Sequence, residues 1–204
     1  MIYSKTVFAD RNRLPAQPLG KFNSVSALPA TGAEIAFLGR SNSGKSSLLA
    51  TLLQTQKAPQ VSSRPGSTRL IQLFQLGSKP DQSRLTLADF PGYGYAQSSA
   101  AFRKRFAEFL GEYITRREGI KAICLVMDCR RKVEDEEREI SSIVKARHIP
   151  TILCLNKADQ LNQSETAKIR KEYAENRDFF EIMLVSAKER TNLDYLRNYI
   201  ASLG

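Results

Sequence analysis

Apolar and polar positions follow two different spacings along most of this chain. Short apolar or alternating runs, which are typical of β-strands, occur at 34–39, 69–76, 84–90, 121–128, 151–156 and 181–187. Apolar residues three or four positions apart, which are typical of helices, occur at 45–54, 100–117, 134–147, 164–176 and 192–203. This alternation predicts an α/β fold of three layers, in which helices cover both faces of a mostly parallel sheet.

The second and third strands are joined by the run GSKPDQS, which is rich in turn-forming residues. So short a connection predicts a hairpin, and we therefore expect a six-stranded sheet with one antiparallel strand at its edge. Residues 1–33 contain three prolines and two glycines, which interrupt both spacings. They predict an irregular N-terminal extension that precedes a single domain at 34–204.

The composition adds a strong positive charge. The 204 residues carry a formal net charge of +10, which favours a polyanionic partner, either nucleic acid or an anionic membrane surface. No run approaches the roughly 18 apolar residues that a membrane-spanning helix needs, and the first residues lack the pattern of a secretory signal. We therefore expect a cytoplasmic protein without stable membrane insertion. Cys124 and Cys154 lie inside apolar runs and are expected to be buried packing residues.

The segment GRSNSGKS follows the first strand and matches the phosphate-binding pattern G-x-x-x-x-G-K-[ST] in full. Small residues let backbone N–H groups approach phosphate oxygens, and the next helix directs the positive end of its dipole toward them. Lys45 would reach the terminal phosphates, and the Ser46 hydroxyl would bind Mg²⁺. The predicted phosphate-binding residues are Gly39, Arg40, Ser41, Asn42, Ser43, Gly44, Lys45 and Ser46. Kinases, ATPases and GTPases share this loop, so it does not identify the base.

The base is indicated by NKAD, which ends the strand at 151–156 and continues beyond it. The Asp159 carboxylate can accept two hydrogen bonds from one edge of guanine, whereas adenine presents an acceptor there and would leave the carboxylate unpaired. Asn156 would brace the loop, and the Lys157 stem would lie along the base. After the last strand, SAK offers the Ala187 backbone N–H to the guanine O6. The predicted guanine-binding residues are Asn156, Lys157, Ala158, Asp159, Val185, Ser186, Ala187 and Lys188.

Two further segments are expected to sense the third phosphate. In DFPG, Asp89 would hold Mg²⁺ through a water, and Gly92 would bring its N–H to the phosphate because no Cβ intervenes. In SSRPGSTR, Thr68 would coordinate Mg²⁺ and contact the same phosphate, whose loss would release both segments. These two segments contribute Gly66, Ser67, Thr68, Arg69, Leu70, Asp89, Phe90, Pro91 and Gly92. The sequence thus predicts a GTPase with GTP as substrate, Mg²⁺ on Ser46, Thr68 and Asp89, and catalysis that involves Lys45, Thr68 and Gly92.

Together GRSNSGKSSLL, RPGSTR, DFPGYGYA, NKAD and SAK resemble the EngB family of ribosome-biogenesis GTPases, within the Era-like group. The resemblance covers roughly residue 33 to the C-terminus. It implies a P-loop GTPase fold and a bacterial cytoplasmic protein that binds the 50S ribosomal subunit or its precursor during large-subunit assembly. It also implies a link to cell division and normal septation. We expect a monomer. Asn156 departs from the family pattern, in which Thr is more common at that position.

Tyr93 occupies the position where many GTPases carry a Gln that orients the attacking water. A phenol with a pKa near 10 is a poor base at neutral pH, so slow intrinsic hydrolysis is expected. Asn42 matches the position that binds K⁺ beside the phosphates in some Era-like relatives, and such an ion would offset developing charge. The alternative is that Asn42 is an ordinary loop residue. The assembling ribosome is the other candidate activator.

Basic runs at 102–106, 115–117 and 129–132 would form a groove for a phosphate backbone if they share one side of the molecule. Tyr93 and Tyr95 would then add base stacking. The alternative is a solvated helix face on which these cations pair with Glu108 and Glu112.

Three other functions remain open from the sequence. An ATP-dependent kinase on the same fold would leave Asp159 without a role. A division-site scaffold would turn over GTP only incidentally, and the sequence offers no obvious membrane anchor for it. A partner protein in tRNA modification would be expected to carry a second catalytic domain.

Overall fold

A computed structural model describes residues 14–54, 71–77, 85–94 and 100–203. Within these ranges eight strands form one sheet, in the order β3-β1-β4-β5-β2-β6-β7-β8. The strands are β1 (Leu14–Phe22), β2 (Ala33–Gly39), β3 (Leu53–Gln54), β4 (Ile71–Leu76), β5 (Leu85–Asp89), β6 (Ile120–Asp128), β7 (Thr151–Asn156) and β8 (Glu181–Leu184). Five neighbouring strands of this sheet are parallel, namely β5, β2, β6, β7 and β8. The predicted hairpin is present, because β4 and β5 pair antiparallel.

Helices cover both faces of this sheet. The described α-helices are α1 (Lys45–Leu52), α2 (Ala100–Arg116), α3 (Asp135–Lys145), α4 (Gln163–Tyr173) and α5 (Leu193–Ser202). On one face, α1 and α5 bury Leu48 and Leu196 against alternate strand residues. On the other face, Tyr113 of α2 and Val144 of α3 lie in a second apolar cluster. The predicted three-layer α/β class is confirmed. No helix in the described ranges combines the length and apolar composition needed to cross a bilayer.

The structure corrects the expectation of an irregular N-terminal segment. β1 pairs antiparallel with β4, so the antiparallel strand of the hairpin lies inside the sheet and not at its edge. Leu14 and Ala16 are buried and anchor β1 to the core. Proline is disfavoured in strands that are paired on both sides. In this sheet β3 pairs only with the first two residues of β1, so most of β1 has a neighbour on one side only. At Pro18 the strand is therefore an edge, and a register shift between Pro18 and Gly20 accommodates the interruption.

The strand order reverses beside β2, at the centre of the parallel part of the sheet. The chain leaves β2 toward one side, returns along β5, and then crosses to β6 on the other side of β2. Ligands of open α/β sheets bind beyond the carboxyl ends of the strands at such a reversal. GRSNSGKS follows β2, DFPG follows β5 and NKAD follows β7, so the topology brings the three motifs to one edge of the sheet.

Candidate guanine-nucleotide site

The phosphate-binding loop connects β2 to α1 at this edge. Two backbone hydrogen bonds close it, from Ser43 N to Arg40 O at 3.1 Å and from Leu48 N to Gly44 O at 2.8 Å. Asn42 and Gly44 adopt left-handed backbone conformations, with φ of 67° and 84°. Asn and Gly tolerate these conformations best. The curvature of the loop therefore depends on residue types that the motif itself supplies.

Gly44 also allows two motifs to meet. A Cβ atom at this position would lie 2.4 Å from Nδ2 of Asn156. The same Nδ2 atom donates to the Ser43 carbonyl at 3.1 Å, and Asn156 is only 1% exposed. The other side of the amide, Oδ1, accepts a hydrogen bond from the Ala187 N–H at 3.2 Å. Asn156 thus joins the phosphate loop, the NKAD loop and the SAK loop.

The Ala187 N–H has a different partner from the one expected. The sequence suggests that it donates to guanine O6, whereas in the structure it donates to Asn156. The reason is geometric, because a backbone hydrogen bond from Ala158 N to Val185 O, at 3.0 Å, draws the NKAD and SAK loops together. Donation to a base therefore requires this N–H to be shared with Asn156 or released by it.

Asp159 is positioned by the SAK loop. Its Oδ1 atom accepts a hydrogen bond from the Ser186 hydroxyl at 2.6 Å, and that hydroxyl accepts one from the Glu189 N–H at 3.0 Å. Ser186 is fully buried, whereas Asp159 is partly exposed. The carboxylate predicted to select guanine is therefore held in a fixed direction by a buried side chain. This arrangement suits recognition by paired hydrogen bonds, since it limits the freedom that binding would remove.

Lys157 crosses the phosphate loop. Its backbone is left-handed, with φ of 66°, and its ammonium donates to the Asn42 carbonyl at 2.8 Å. The ammonium also lies 3.0 Å from Oδ2 of Asp128, the last residue of β6. A hydrogen bond from Arg130, aided by Lys157, holds the pKa of the Asp128 carboxyl well below its usual range. Sequence reasoning missed Asp128, although it ends an apolar strand just as Asp89 does.

At the phosphate end, Lys45 and Asp89 form an ion pair with each other. Both side chains are largely buried, at 8% and 13% exposure. Ser46 directly follows Lys45 at the start of α1, and Asp89 is the last residue of β5, so the hydroxyl and the carboxylate predicted to bind the metal both belong to the phosphate end. Oxygen ligands of this kind suit Mg²⁺, which would neutralise phosphate charge when bound. Ser46 and Asp89 therefore fit the predicted metal site.

The first phosphate-sensing segment lies outside the described residues. This applies to Gly66, Ser67, Thr68, Arg69 and Leu70, and also to Tyr95. Their predicted roles remain predictions. In the second segment, Gly92 lies close to the phosphate loop, because a Cβ atom there would be 3.2 Å from the Ser41 hydroxyl oxygen. Phe90 is buried between Phe109 and Tyr113 of α2. Its side chain therefore anchors DFPG to the core, and it is not exposed at the edge where the motifs meet.

Tyr93 faces the protein interior. Two backbone hydrogen bonds join it to the phosphate loop, from Ser41 N to Tyr93 O at 2.7 Å and from Tyr93 N to Gly39 O at 3.1 Å. Its side chain is buried against Phe106, and its hydroxyl donates to Glu137 at 3.2 Å. Burial and the nearby Glu137 carboxylate raise the pKa of Tyr93 well above its usual value. The phenol is therefore neither a general base nor the stacking platform that the sequence suggested.

Arg40 is also directed away from the ligand edge. Its guanidinium forms ion pairs with three carboxylates at the start of α3, at 2.5 Å to Glu134, 3.6 Å to Glu136 and 3.8 Å to Glu137. Gly94 passes close to this group in a left-handed conformation, and a Cβ there would lie 2.7 Å from the Arg40 Nε. The side chain of Arg40 thus connects the phosphate loop to α3, and only its backbone remains for a phosphate.

Basic residues from the predicted groove pair with different carboxylates and do not form one continuous basic surface. Arg117 is paired with the fully buried Glu34 at the opposite end of β2, so it is not part of a polyanion-binding groove. Arg116 pairs with Glu112 at 3.4 Å, and Lys104 lies 4.0 Å from Glu108. These last two contacts are the intrahelical pairs proposed as the alternative to a groove.

The three cysteines behave as packing residues. Cys124, Cys129 and Cys154 are all buried, and their thiols are free of disulfides. Cys124 and Cys154 belong to neighbouring strands, β6 and β7, within one apolar cluster. A hydrogen bond with Cys154, together with burial, raises the pKa of Cys124 well above its usual value, which disfavours the reactive thiolate form at neutral pH.

Comparisons with known proteins agree with this site. Residues 34–157 match the family described as "50S ribosome-binding GTPase". The chain is 39% identical over 153 residues to the "Probable GTP-binding protein EngB" of Pseudoalteromonas translucida, covering 72% of this chain and 67% of that protein. It is 37% identical over 169 residues to the protein of the same name in Desulfovibrio desulfuricans, covering 83% and 82%.

Solved structures show the same fold. A crystal structure of a "probable GTP-binding protein engB" aligns with a TM-score of 0.63 at 24% identity, covering 84% of this chain and 98% of that one. The structure of Era with MgGDPNP and a fragment of 16S ribosomal RNA aligns with a TM-score of 0.62 at 24% identity, covering 84% and 56%. The motifs, their placement at one edge of the sheet and the extent of these matches lead to one assignment. The chain belongs to the EngB family of GTP-binding proteins, which are P-loop GTPases.

Proposed function

We propose that this protein hydrolyses GTP slowly and acts as a molecular switch in assembly of the large ribosomal subunit. The observation that carries slow hydrolysis is the position of Tyr93, whose hydroxyl is buried on Glu137. The residue that follows Gly92 therefore offers nothing to orient an attacking water. Lys45 and the candidate Mg²⁺ ligands Ser46 and Asp89 are present in the chain, so on this proposal hydrolysis proceeds slowly and an activator raises its rate.

The ribosomal role is supported by the family description, which names 50S ribosome binding. It is also supported by the net charge of +10, which favours a polyanionic partner. On this proposal a monomer acts in the cytoplasm, and its GTP-bound form engages the 50S subunit or its precursor. The resemblance to this family extends the proposal to normal cell division and septation.

Co-sedimentation tests the switch. The protein is incubated with 50S precursors in the presence of a non-hydrolysable GTP analogue or GDP, and the bound fraction is measured. We expect more protein in the particle fraction with the analogue, and a bound fraction that falls steeply as salt is raised. Equal binding in the two nucleotide states would contradict the switch. Sedimentation with membranes in place of particles would instead favour the division-site scaffold.

We also propose that K⁺ raises the hydrolysis rate by binding near Asn42. Asn42 is exposed in the phosphate loop and has a left-handed backbone conformation, and a monovalent cation bound beside it would offset the charge that develops on the phosphates. Turnover in K⁺ is compared with turnover in Na⁺ at equal ionic strength. Identical rates would leave the ribosomal particle as the remaining candidate activator.

A further inference from the structure

We propose that Asp128 is a positioning residue for guanine nucleotides, because its carboxylate holds Lys157 across the phosphate loop. Asp128 ends β6, which lies between β2 and β7 in the sheet. The strand that carries the phosphate loop and the strand that carries NKAD are therefore both its neighbours. The proposal concerns GTP and GDP binding and does not depend on the ribosomal role.

Arg130 contacts both carboxylate oxygens of Asp128, whereas Lys157 contacts one of them. Its Oδ1 atom accepts from the Arg130 backbone N–H at 3.1 Å and from Arg130 Nε at 2.9 Å. Its Oδ2 atom accepts from Arg130 Nη2 at 2.6 Å and lies 3.0 Å from the Lys157 ammonium. Arg130 thus fixes the carboxylate, and Oδ2 also contacts Lys157, the lysine of the NKAD motif, whose ammonium donates to the phosphate loop.

Lys157 needs such an anchor. A lysine side chain loses conformational entropy when it is fixed in one rotamer, and the carbonyl of Asn42 is an uncharged acceptor. The Asp128 side chain is only 9% exposed, so its attraction for the ammonium is weakly screened. With the ammonium held at both contacts, the lysine stem lies across Gly44, where its Cε is 3.6 Å from the position of a Cβ. The stem is then already in place for a base.

Loss of Asp128 should change nucleotide affinity without changing the rate of hydrolysis. Asp128 acts at the base end of the site, so its loss should weaken GTP and GDP binding by the same factor. Its side chain contacts Arg130 and Lys157 and not the Lys45–Asp89 pair, so hydrolysis of bound GTP should proceed at the wild-type rate. A residue that only stabilised the fold would lower the melting temperature without this separation of affinity from rate.

The main experiment uses Asp128→Asn in the full chain, with fluorescent GDP and a fluorescent non-hydrolysable GTP analogue. We expect both nucleotides to dissociate on the order of 10-fold faster, since a charge-assisted contact is lost. Single-turnover hydrolysis at saturating GTP should be unchanged. Asp178→Asn is the matched control, because Asp178 also pairs with an arginine, Arg138, at 3.8 Å. It precedes β8 and so lies at the amino end of the parallel strands, away from the motifs. It should leave both dissociation rates at the wild-type value.

A double-mutant cycle with Lys157→Ala identifies the route of the effect. If Asp128 acts through Lys157, the double variant should bind no more weakly than Lys157→Ala alone, because coupled residues are non-additive. Additive losses would overturn the proposal, as would unchanged dissociation in Asp128→Asn or a changed hydrolysis rate. Melting is followed for every variant. If Asp128→Asn does not fold, Asp128→Ser takes its place in the cycle, since a hydroxyl still accepts from the Arg130 N–H.

Discussion

The two ends of the nucleotide site are prepared in different ways. At the base end, Ser186 holds Asp159, and Asn156 joins three loops through both sides of its amide. At the phosphate end, Lys45 is paired with Asp89, and the Arg40 side chain lies on α3. The base end therefore has its recognition groups already positioned, whereas at the phosphate end the charged side chains form ion pairs with other protein groups.

This difference indicates separate origins for the affinity for guanine nucleotides and for the distinction between GTP and GDP. A site whose polar groups are fixed beforehand binds with little loss of entropy, and GDP and GTP share the base. At the other end, the predicted role of Lys45 requires it to exchange the Asp89 carboxylate for a phosphate, and only a ligand that favours this exchange would shift the conformation. We infer that the base end sets how tightly guanine nucleotides bind, and that the phosphate end distinguishes three phosphates from two.

The largest effect is expected from Asp159→Asn at the base end. Replacing the carboxylate by an amide should weaken GTP binding roughly 10²- to 10³-fold, because two charge-assisted hydrogen bonds to the base are lost. Xanthine carries a carbonyl where guanine carries an amino group, so the amide should bind XTP better than GTP. Calorimetry with GTP, XTP and ATP measures the change. Retention of wild-type GTP affinity would remove Asp159 from base recognition.

A smaller effect is expected from Gly44→Ala, which tests the junction between the two ends. The added Cβ would meet Asn156 Nδ2 at 2.4 Å in a backbone conformation that disfavours alanine. We expect a loss of about 1–3 kcal/mol in the free energy of unfolding, together with weaker binding of both nucleotides. Gly111→Ala in α2 is the matched control, since a Cβ there has nothing within 4 Å. It should stabilise the protein by about 0.5–1 kcal/mol.

Tyr93→Phe examines the phosphate end. Removing the hydroxyl deletes one hydrogen bond to Glu137, which still has Arg40 as a partner. The free energy of unfolding should fall by about 1 kcal/mol. Single-turnover hydrolysis should stay within about twofold of wild type, because a buried phenol takes no part in proton transfer. A tenfold slower reaction would show that Tyr93 leaves its pocket when GTP binds.

The smallest effect concerns pH at the base end. The pKa of Asp128 is lower in the folded protein than its unfolded value of about 3.9, chiefly through the hydrogen bond from Arg130. Its contribution to stability is therefore complete above about pH 4 and declines as the pH falls further. The difference in unfolding free energy between wild type and Asp128→Asn should be constant from pH 5 to 7 and shrink below pH 4. Denaturant titrations across this range measure it, and a difference that grows in acid would reverse the sign.

Much of the fold could be predicted, because its main strands and helices carry regular spacings. β1 could not, since Pro15 and Pro18 interrupt the strand pattern and only pairing with β4 compensates. The site motifs were also readable, because each is a short segment whose chemistry is local. Asp128 was missed for the opposite reason. Its role depends on β7 lying beside β6, which brings Lys157 within 3.0 Å of it.

The sequence by itself determined the class of ligand and the alternation of strands and helices, since a phosphate loop, NKAD and hydrophobic periodicity are properties of neighbouring residues. Tertiary structure decided where individual side chains point. Arg40 pairs with Glu134, 94 positions away in the chain, and Arg117 pairs with Glu34, 83 positions away. Charge and polarity along a sequence cannot specify such partners, because they depend on which elements the fold places side by side.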